Sequence, residues 1–309
     1  MKLGTSPRRE VVARWWSGLT LDIYMQIAGV ALVFPAALLL FALLIAPFTF
    51  IIWSSFIEKG EIELSLANYQ WLFGPAFLPS LKNSLIIGVG SVALEILAAV
   101  PLAILLNQRL YGRGILRALV TLPWAVPTIS VAAAFLWLSN TNYGLFNQIG
   151  LATGILKLPL AFLGDPKLAL PAVIMAHAWK GLPLAFIVIF ASLQSLPSEY
   201  LEAARVDGAW GWGQLRYIIL PHLKTAIGLA AVLSGIYNFA LFDLTFLLTG
   251  GGPAGATMTL PMLEYNQMFR SLDIGRAAAV GVVIFLAGIL SLALLFLMNA
   301  QDRKKRGLR

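Results

Sequence analysis

The sequence contains no cysteine, which excludes a disulfide framework, thiol catalysis and a thiolate metal site. It has two histidines, His177 and His222, 45 positions apart. That rules out a histidine-rich metal site, and with no companion ligands both are assigned structural roles. Charge is scarce too: Asp, Glu, Lys and Arg make up 12% of 309 residues, against roughly 25% in a soluble domain. No G-x-x-x-x-G-K-[ST] phosphate loop occurs; the run Thr249-Gly250-Gly251-Gly252-Pro253 lacks the Lys-Ser/Thr that would follow. No paired acids, metal ligands or Ser-His arrangement recur at helical spacing, which argues against an enzyme. The net charge of +8 comes with no basic run interleaved with a nucleic-acid-binding fold. It is read as basic loops facing an anionic leaflet, with no nucleic-acid partner.

What is present is apolar length. Hydrophobic residues make up 59% of the chain, and mean hydropathy is +0.83. A transmembrane helix needs about 20 mainly apolar residues, and six segments qualify, at approximately 27–53, 84–107, 115–138, 169–193, 224–248 and 276–298. The first is too long for a signal-peptide core and lacks a cleavage pattern, so it is read as a retained helix. Trp15 and Trp16 precede it as an interfacial belt. Pro35, Pro47, Pro123, Pro127 and Pro183 fall inside spans, where neighbouring helices must satisfy the carbonyls that proline frees.

Six spans place both ends on one side, and the basic residues sort accordingly. Fifteen lie on the terminal side: Lys2, Arg8, Arg9, Arg14, Arg109, Arg113, Arg117, Arg205, Arg216, Lys224, Arg303, Lys304, Lys305, Arg306 and Arg309. Six lie on the other: Lys59, Lys82, Lys157, Lys167, Arg270 and Arg276. The positive-inside rule then makes both termini cytoplasmic. The organisation predicted is a cytoplasmic N-terminal segment 1–26, a six-helix membrane domain 27–298 and a basic cytoplasmic tail 299–309. This is an all-α polytopic membrane protein of the cytoplasmic membrane.

The informative loop is 196–221, between the fourth and fifth spans. Pro197 and Ser198 suit a helix start with Ser198 as N-cap. Glu199 and Glu202 complement the helix dipole. Gly208 ends the helix, where a left-handed conformation costs least for glycine. A second short helix is expected from about Trp210 to Ile219. The result is a helix–turn–helix strapped between two spans, which without further information is also what an ordinary capped surface loop would look like.

Glu202-Ala203-Ala204, three residues, Gly208, nine residues, Ile218, one residue, Leu220-Pro221 resembles the E-A-A-x3-G-x9-I-x-L-P loop of binding-protein-dependent ABC importer permeases. The likeness extends from roughly Asn68 to Met298. Asn68-Tyr69, Lys82-Asn83-Ser84, Trp179-Lys180-Gly181, Leu248 to Pro253 and Phe269-Arg270…Gly275-Arg276-Ala277-Ala278 look like the carbohydrate-uptake branch, and the Thr-Gly-Gly-Gly-Pro run resembles its maltose-type first permease subunit. The resemblance implies the type I importer permease fold and no cofactor in this chain. It also implies ATP-Mg on two copies of a cytosolic ATPase, a second homologous permease, an extracytoplasmic solute-binding protein and a sugar cargo. By the same resemblance Glu202, Ala203, Ala204, Asp207, Gly208, Leu220 and Pro221 form the ATPase-coupling contact.

Two charges lie deep in the membrane. Glu95 and Lys180 each sit 11 positions from the outer end of their spans, about 16 Å in at ~1.5 Å per residue. Such charges usually face a partner or a cavity. Either they pair, or one lines the solute path, or each is buried independently, Lys180 on carbonyls freed by Pro183. In the fifth span Asn238, Phe242 and Thr245 share a helical face at i, i+4, i+7. Asn238, with Tyr237 and Phe242, suits the hydroxyls and apolar faces of a sugar, or glues helices together. The candidate solute path is therefore Tyr237, Asn238, Phe242, Lys180 and Glu95. Alternative cargoes are glycerol phosphate, an acidic saccharide or a polyamine; an ion-coupled carrier using Glu95 should lack the coupling loop.

Overall fold

The computed structural model describes residues 7–108 and 110–305, with side chains over 25–108 and 110–293. Trp15 and Trp16, Arg109 and the basic side chains of both chain ends lie outside those limits. Among the described residues the structure is helical, with one isolated antiparallel bridge between Ile57 and Leu64.

The chain divides at Ser54 into two units. The first contains α1 (Pro7–Ser54), 48 residues running through Pro35 and Pro47. Its apolar part, Met25–Ser54, contains the expected first span.

The second unit begins at Ser55. The short helix α2 (Ala67–Trp71) precedes the second span, α3 (Phe77–Asn107). Next come α4 (Arg113–Ala125) and α5 (Thr128–Leu138), the short α6 (Leu145–Ala152), and the fourth span, α7 (Pro166–Gln194). The loop helix α8 (Ser198–Val206) leads to α9 (Trp212–Gln214) and α10 (Leu220–Ala240). The chain closes with α11 (Asp243–Thr249), α12 (Leu260–Tyr265) and α13 (Ile274–Lys305). α3, α7 and α10 pack closely because alanines stand at their crossings: Ala99, Ala103, Ala185 and Ala230 are fully buried. Small side chains let membrane helices approach when lipid supplies no hydrophobic drive between them.

Three expectations change. The third span is not one helix: α4 and α5 meet at 100°. Pro127 is the cause. Its ring disfavours helical geometry at Val126, which is extended at ψ 129°. Pro127 also lacks the N–H that would bond the Pro123 carbonyl four residues back. Lys180 on α7 takes up the freed groups. Its Nζ donates to the carbonyls of Pro123 (3.0 Å), Trp124 (3.4 Å) and Val126, and the side chain is buried.

The fifth span starts earlier and ends sooner than 224–248. The helix expected over Trp210–Ile219 is its first part, since α9, a π-helical turn Leu215–Ile219 and α10 run on as one rod, Trp212–Ala240. The Leu220 N–H reaches five residues back to the Leu215 carbonyl, and this wider turn carries the chain past Pro221 without a stop. At the other end Leu241 is extended (ψ 108°), and α11 starts afresh at Asp243.

Several family-like motifs turn out to be buckles at the end of the unit away from α8. Asn68 Nδ2 donates to the carbonyls of Ser55 (3.1 Å) and Ile57 (2.8 Å). Gly275 allows this, because a Cβ there would collide with the Ile57 carbonyl and the Asn68 amide. Asn83 Nδ2 donates to the carbonyls of Gly255 (3.2 Å) and Met258 (3.0 Å), and Ser84 Oγ accepts from Leu260 N–H (2.8 Å). The glycine run is folded on itself by Thr257 Oγ1, which bonds the Gly252 carbonyl (2.8 Å) and Thr249 Oγ1 (2.6 Å).

These contacts set two expectations, read as melting temperature of the purified chain in one detergent. Gly275→Ala should lose stability, about 1–3 kcal/mol for overpacking, whereas Gly288→Ala, with open space around it, should not. Lys180→Met should cost several kcal/mol, because it strands three buried carbonyls at the break. An unchanged melting temperature for Lys180→Met would remove the tether at the break.

Candidate coupling loop and solute path

The loop helix α8 carries an acid, Glu199, in its first turn and a base, Arg205, in its last, which matches the sign of the helix dipole at each end. Ser198 is not its N-cap. Pro197 occupies that place, with no side-chain cap bond, and Ser198 is the first helical residue. Proline's fixed φ sets the chain direction here, so the hydroxyl is not needed for it. The C-terminus agrees with expectation. Gly208 is left-handed at φ 83°, Ala209 N–H bonds the Ala204 carbonyl (2.8 Å), and Gly208 N–H bonds that of Arg205 (3.1 Å). This double closure is the Schellman motif, for which glycine is the favoured residue. Gln214 Nε2 then ties the rod back to the Leu201 carbonyl (3.0 Å). His222 does structural work nearby, with Nε2 2.9 Å from the Ser192 carbonyl.

Glu202, Ala203, Asp207, Gly208 and Pro221 are exposed, while Ala204 is buried and Leu220 half-buried. Around them stand Tyr200, Val206, Trp210, Trp212 and Tyr217, all well over half exposed. Large apolar side chains left exposed together along one loop mark an interaction surface. The motif spacing did not single out these aromatics, although four of them within 18 residues were a readable signal.

Glu95 and Lys180 share a depth but do not pair. Lys180 faces the break between α4 and α5. Glu95 Oε1 on α3 accepts from Asn238 Nδ2 on α10 (2.7 Å), and both residues are buried. Ser234, one turn earlier on α10, lies against the same carboxylate without completing a hydrogen bond. Gly181 makes room, since a Cβ there would collide with the carboxylate. His177 of α7 lies near Asn238 without completing a hydrogen bond to it, and its Nε2 is 2.9 Å from Thr245 Oγ1 on α11. Two hydrogen-bonded pairs, Glu95–Asn238 and His177–Thr245, thus adjoin as a polar seam across four helices. Sequence reasoning missed His177 in it, because only the packing of α7 against α10 shows the neighbour.

Phe242 does not share a helical face with Asn238 and Thr245, because the rod ends between them. Its ring stacks on Phe246 (4.9 Å between centroids) and meets Tyr265 (5.1 Å), which meets Phe269 (4.9 Å). Phe242, Asp243, Phe246 and Leu247 line a cavity of about 370 Å³ together with Thr128 and Ile129. Its walls come from the first residues after both breaks, a place where a transporter keeps irregular backbone because it borders a cavity. Tyr237 is half-buried, within electrostatic reach of Asp243 and Glu95.

Residues 95–307 match the family model described as "Binding-protein-dependent transport system inner membrane component". Among curated proteins, the trehalose/maltose transport system permease MalF of Thermococcus litoralis is 38% identical over 69% of this chain and 71% of its own length. The sulfoquinovosyl glycerol transport system permease SmoG of Agrobacterium fabrum is 29% identical over 86% of this chain and 88% of its own. Among solved structures, a chain of a bacterial ABC transporter that imports the acidic polysaccharide alginate superposes with a TM-score of 0.74 at 21% identity, over 94% of this chain and 99% of that one. The broken spans, the Gly208-closed loop helix and the family match converge, and the chain belongs to the inner-membrane permease components of binding-protein-dependent ABC transport systems.

Proposed function

We propose that this permease passes a neutral saccharide across the cytoplasmic membrane by alternating access, driven by ATP hydrolysis on separate subunits. The observation that carries the reading is the rigid, glycine-closed helix α8, which presents Glu202, Ala203, Asp207 and Gly208 to solvent at one end of a rod whose membrane portion bears Asn238. Such a helix suits insertion into a cleft of a partner ATPase, with Ala204, Leu220 and Pro221 holding it in shape. Two ATPase copies, each carrying ATP-Mg, would then move this chain against a second, homologous permease. The solute would arrive from an extracytoplasmic binding protein. In this orientation α8 and both termini are cytoplasmic.

The saccharide reading rests on chemistry at the breaks and on relatives named for trehalose, maltose and sulfoquinovosyl glycerol transport. An aromatic pair, Phe242 and Phe246, flanks a cavity that also holds a hydroxyl from Thr128 and a carboxylate from Asp243. Flat apolar rings beside hydrogen-bonding groups suit the two faces of a sugar. Tyr237, Asn238 and Phe242 are assigned to the solute path, and Glu95 and Lys180 hold its wall. Lys180, a buried cation that could otherwise meet an anionic solute, spends its donors on three carbonyls, which favours a neutral one.

The test is co-expression with the neighbouring permease and ATPase, and measurement of ATP hydrolysis with loaded binding protein across neutral and acidic saccharides. A neutral saccharide should stimulate hydrolysis, and Gly208→Asp should abolish the stimulation while the complex still assembles. If no ATPase co-purifies, the coupling role is wrong. Stimulation by acidic saccharides alone would overturn the neutral cargo.

A further inference from the structure

At the end of α7 away from α8, an apolar cavity of about 670 Å³ lies between α7, the half-helix α5 and the segment around α6. It is distinct from the cavity at the breaks, with which it shares no lining residue. One wall is a stripe of α7: Leu168, Pro171, Ala172, Met175 and Trp179, spaced so that all fall on one helical face. From the Trp179 end of that stripe a chain of rings runs onto the opposite wall. Trp179 meets Phe135 at 5.9 Å, Phe135 meets Phe146 at 6.4 Å, and Phe146 meets Phe162 at 6.1 Å.

Depth identifies what such a cavity takes. α7 begins at Pro166, so at ~1.5 Å per residue the stripe runs from about 3 to about 20 Å into the span. Half of a ~30 Å hydrocarbon layer is about 15 Å, so the cavity is one leaflet deep. α5, with 11 residues, has a matching length of about 16 Å. Its brevity, imposed by the break at Pro127, keeps this wall within one leaflet. Met175 and Trp179 are 54% and 40% exposed, so the cavity is open along its side. Lys167 is not one of the lining residues, but it is exposed one and two turns above Pro171 and Met175 on the same helical face, towards the end of α7 at which the cavity opens. A cation there sits at the level of lipid phosphates, above an apolar slot. Asp165 is close by in the chain, but its Oδ1 is engaged in capping the Lys167 backbone N–H at 2.8 Å.

We infer that this cavity is a binding site for a membrane phospholipid of the leaflet opposite the coupling loop, one acyl chain lying along the α7 stripe and the phosphate meeting Lys167. The site needs no assumption about the transported solute. Its occupant props α5 against α7 on the side away from the Lys180 tether, so the bent third span is held at both ends of its second half.

The experiment uses the full chain, assembled with its partner subunits, in vesicles of phosphatidylethanolamine and phosphatidylglycerol. A trace of phosphatidylglycerol carries a photoreactive group midway along one acyl chain, and adducts are mapped by peptide mass spectrometry. Labelling should concentrate on Leu168–Trp179 and Phe135, at least ~5-fold above the exposed α3 positions Val89 and Leu97, taken as ordinary lipid contact. Ala172→Trp should fill the slot and reduce that labelling to the α3 level. The melting temperature in detergent reports that the variant still folds. Lys167→Gln should lower labelling by phosphatidylglycerol relative to a zwitterionic photolipid. Labelling equal to that at Val89, or unchanged in Ala172→Trp, would overturn the proposal. So would a slot that labels in the isolated chain but is shielded in the assembled complex, since a partner subunit would then be its occupant.

Discussion

Lys180 grips the carbonyls of Pro123, Trp124 and Val126, and the architecture of the second unit depends on that grip. In lipid no water replaces a missing hydrogen bond, and each stranded carbonyl costs several kcal/mol. A helix broken by Pro127 is therefore tolerable only where another element brings donors to the break. An ammonium group has three protons and suits three carbonyls. Because the donor comes from α7, the break fixes α4 and α5 to the fourth span. It also directs the start of α5, and Thr128 with it, towards Phe242 and Asp243 at the second break.

The same logic explains why particular small and polar residues stand where they do. Gly181 comes next to Lys180 because Glu95 presses against its backbone, and a methyl group would push the carboxylate off Asn238. Gly275 answers to Asn68, whose amide bridges two carbonyls before α2 and leaves no room for a side chain on α13. Thr249 and Thr257 close the glycine run, and Asn83 and Ser84 of α3 hold the segment from Gly255 to Leu260. Each pair joins separate segments of the chain. Motifs that look like scattered family signatures are halves of single contacts.

How much of this was legible depends on the range of each interaction. α3, α7 and α13 could be read from apolar length, which is a local property, and the stop at Gly208 from the local chemistry of a left-handed residue. The kink at Pro127 was visible as a proline but not as a 100° turn, since prolines 35, 47 and 183 stay within continuous helices. Whether a proline bends or breaks a span depends on what donates to its carbonyls, and that donor, Lys180, lies on another helix far along the chain. The break at Leu241 has neither proline nor glycine to announce it. Equal depth placed Glu95 and Lys180 at one level but not on facing sides, because depth comes from counting and azimuth from packing. The seam through His177 and Thr245 was hidden for that reason.

The π-helical turn at Leu215–Ile219 makes Trp212–Ala240 one unbroken rod of 29 residues, about 43 Å long at 1.5 Å per residue. A rod of that length is a mechanical amplifier. Pivoted at one end, a tilt of about 5° moves the other by about 4 Å, more than the length of a hydrogen bond. The loop helix sits at one end and Asn238 close to the other, so a rotation of that size imposed at Trp212 would be enough to break or make the contact with Glu95. No part of the rod has to unfold or change its own conformation for that to happen.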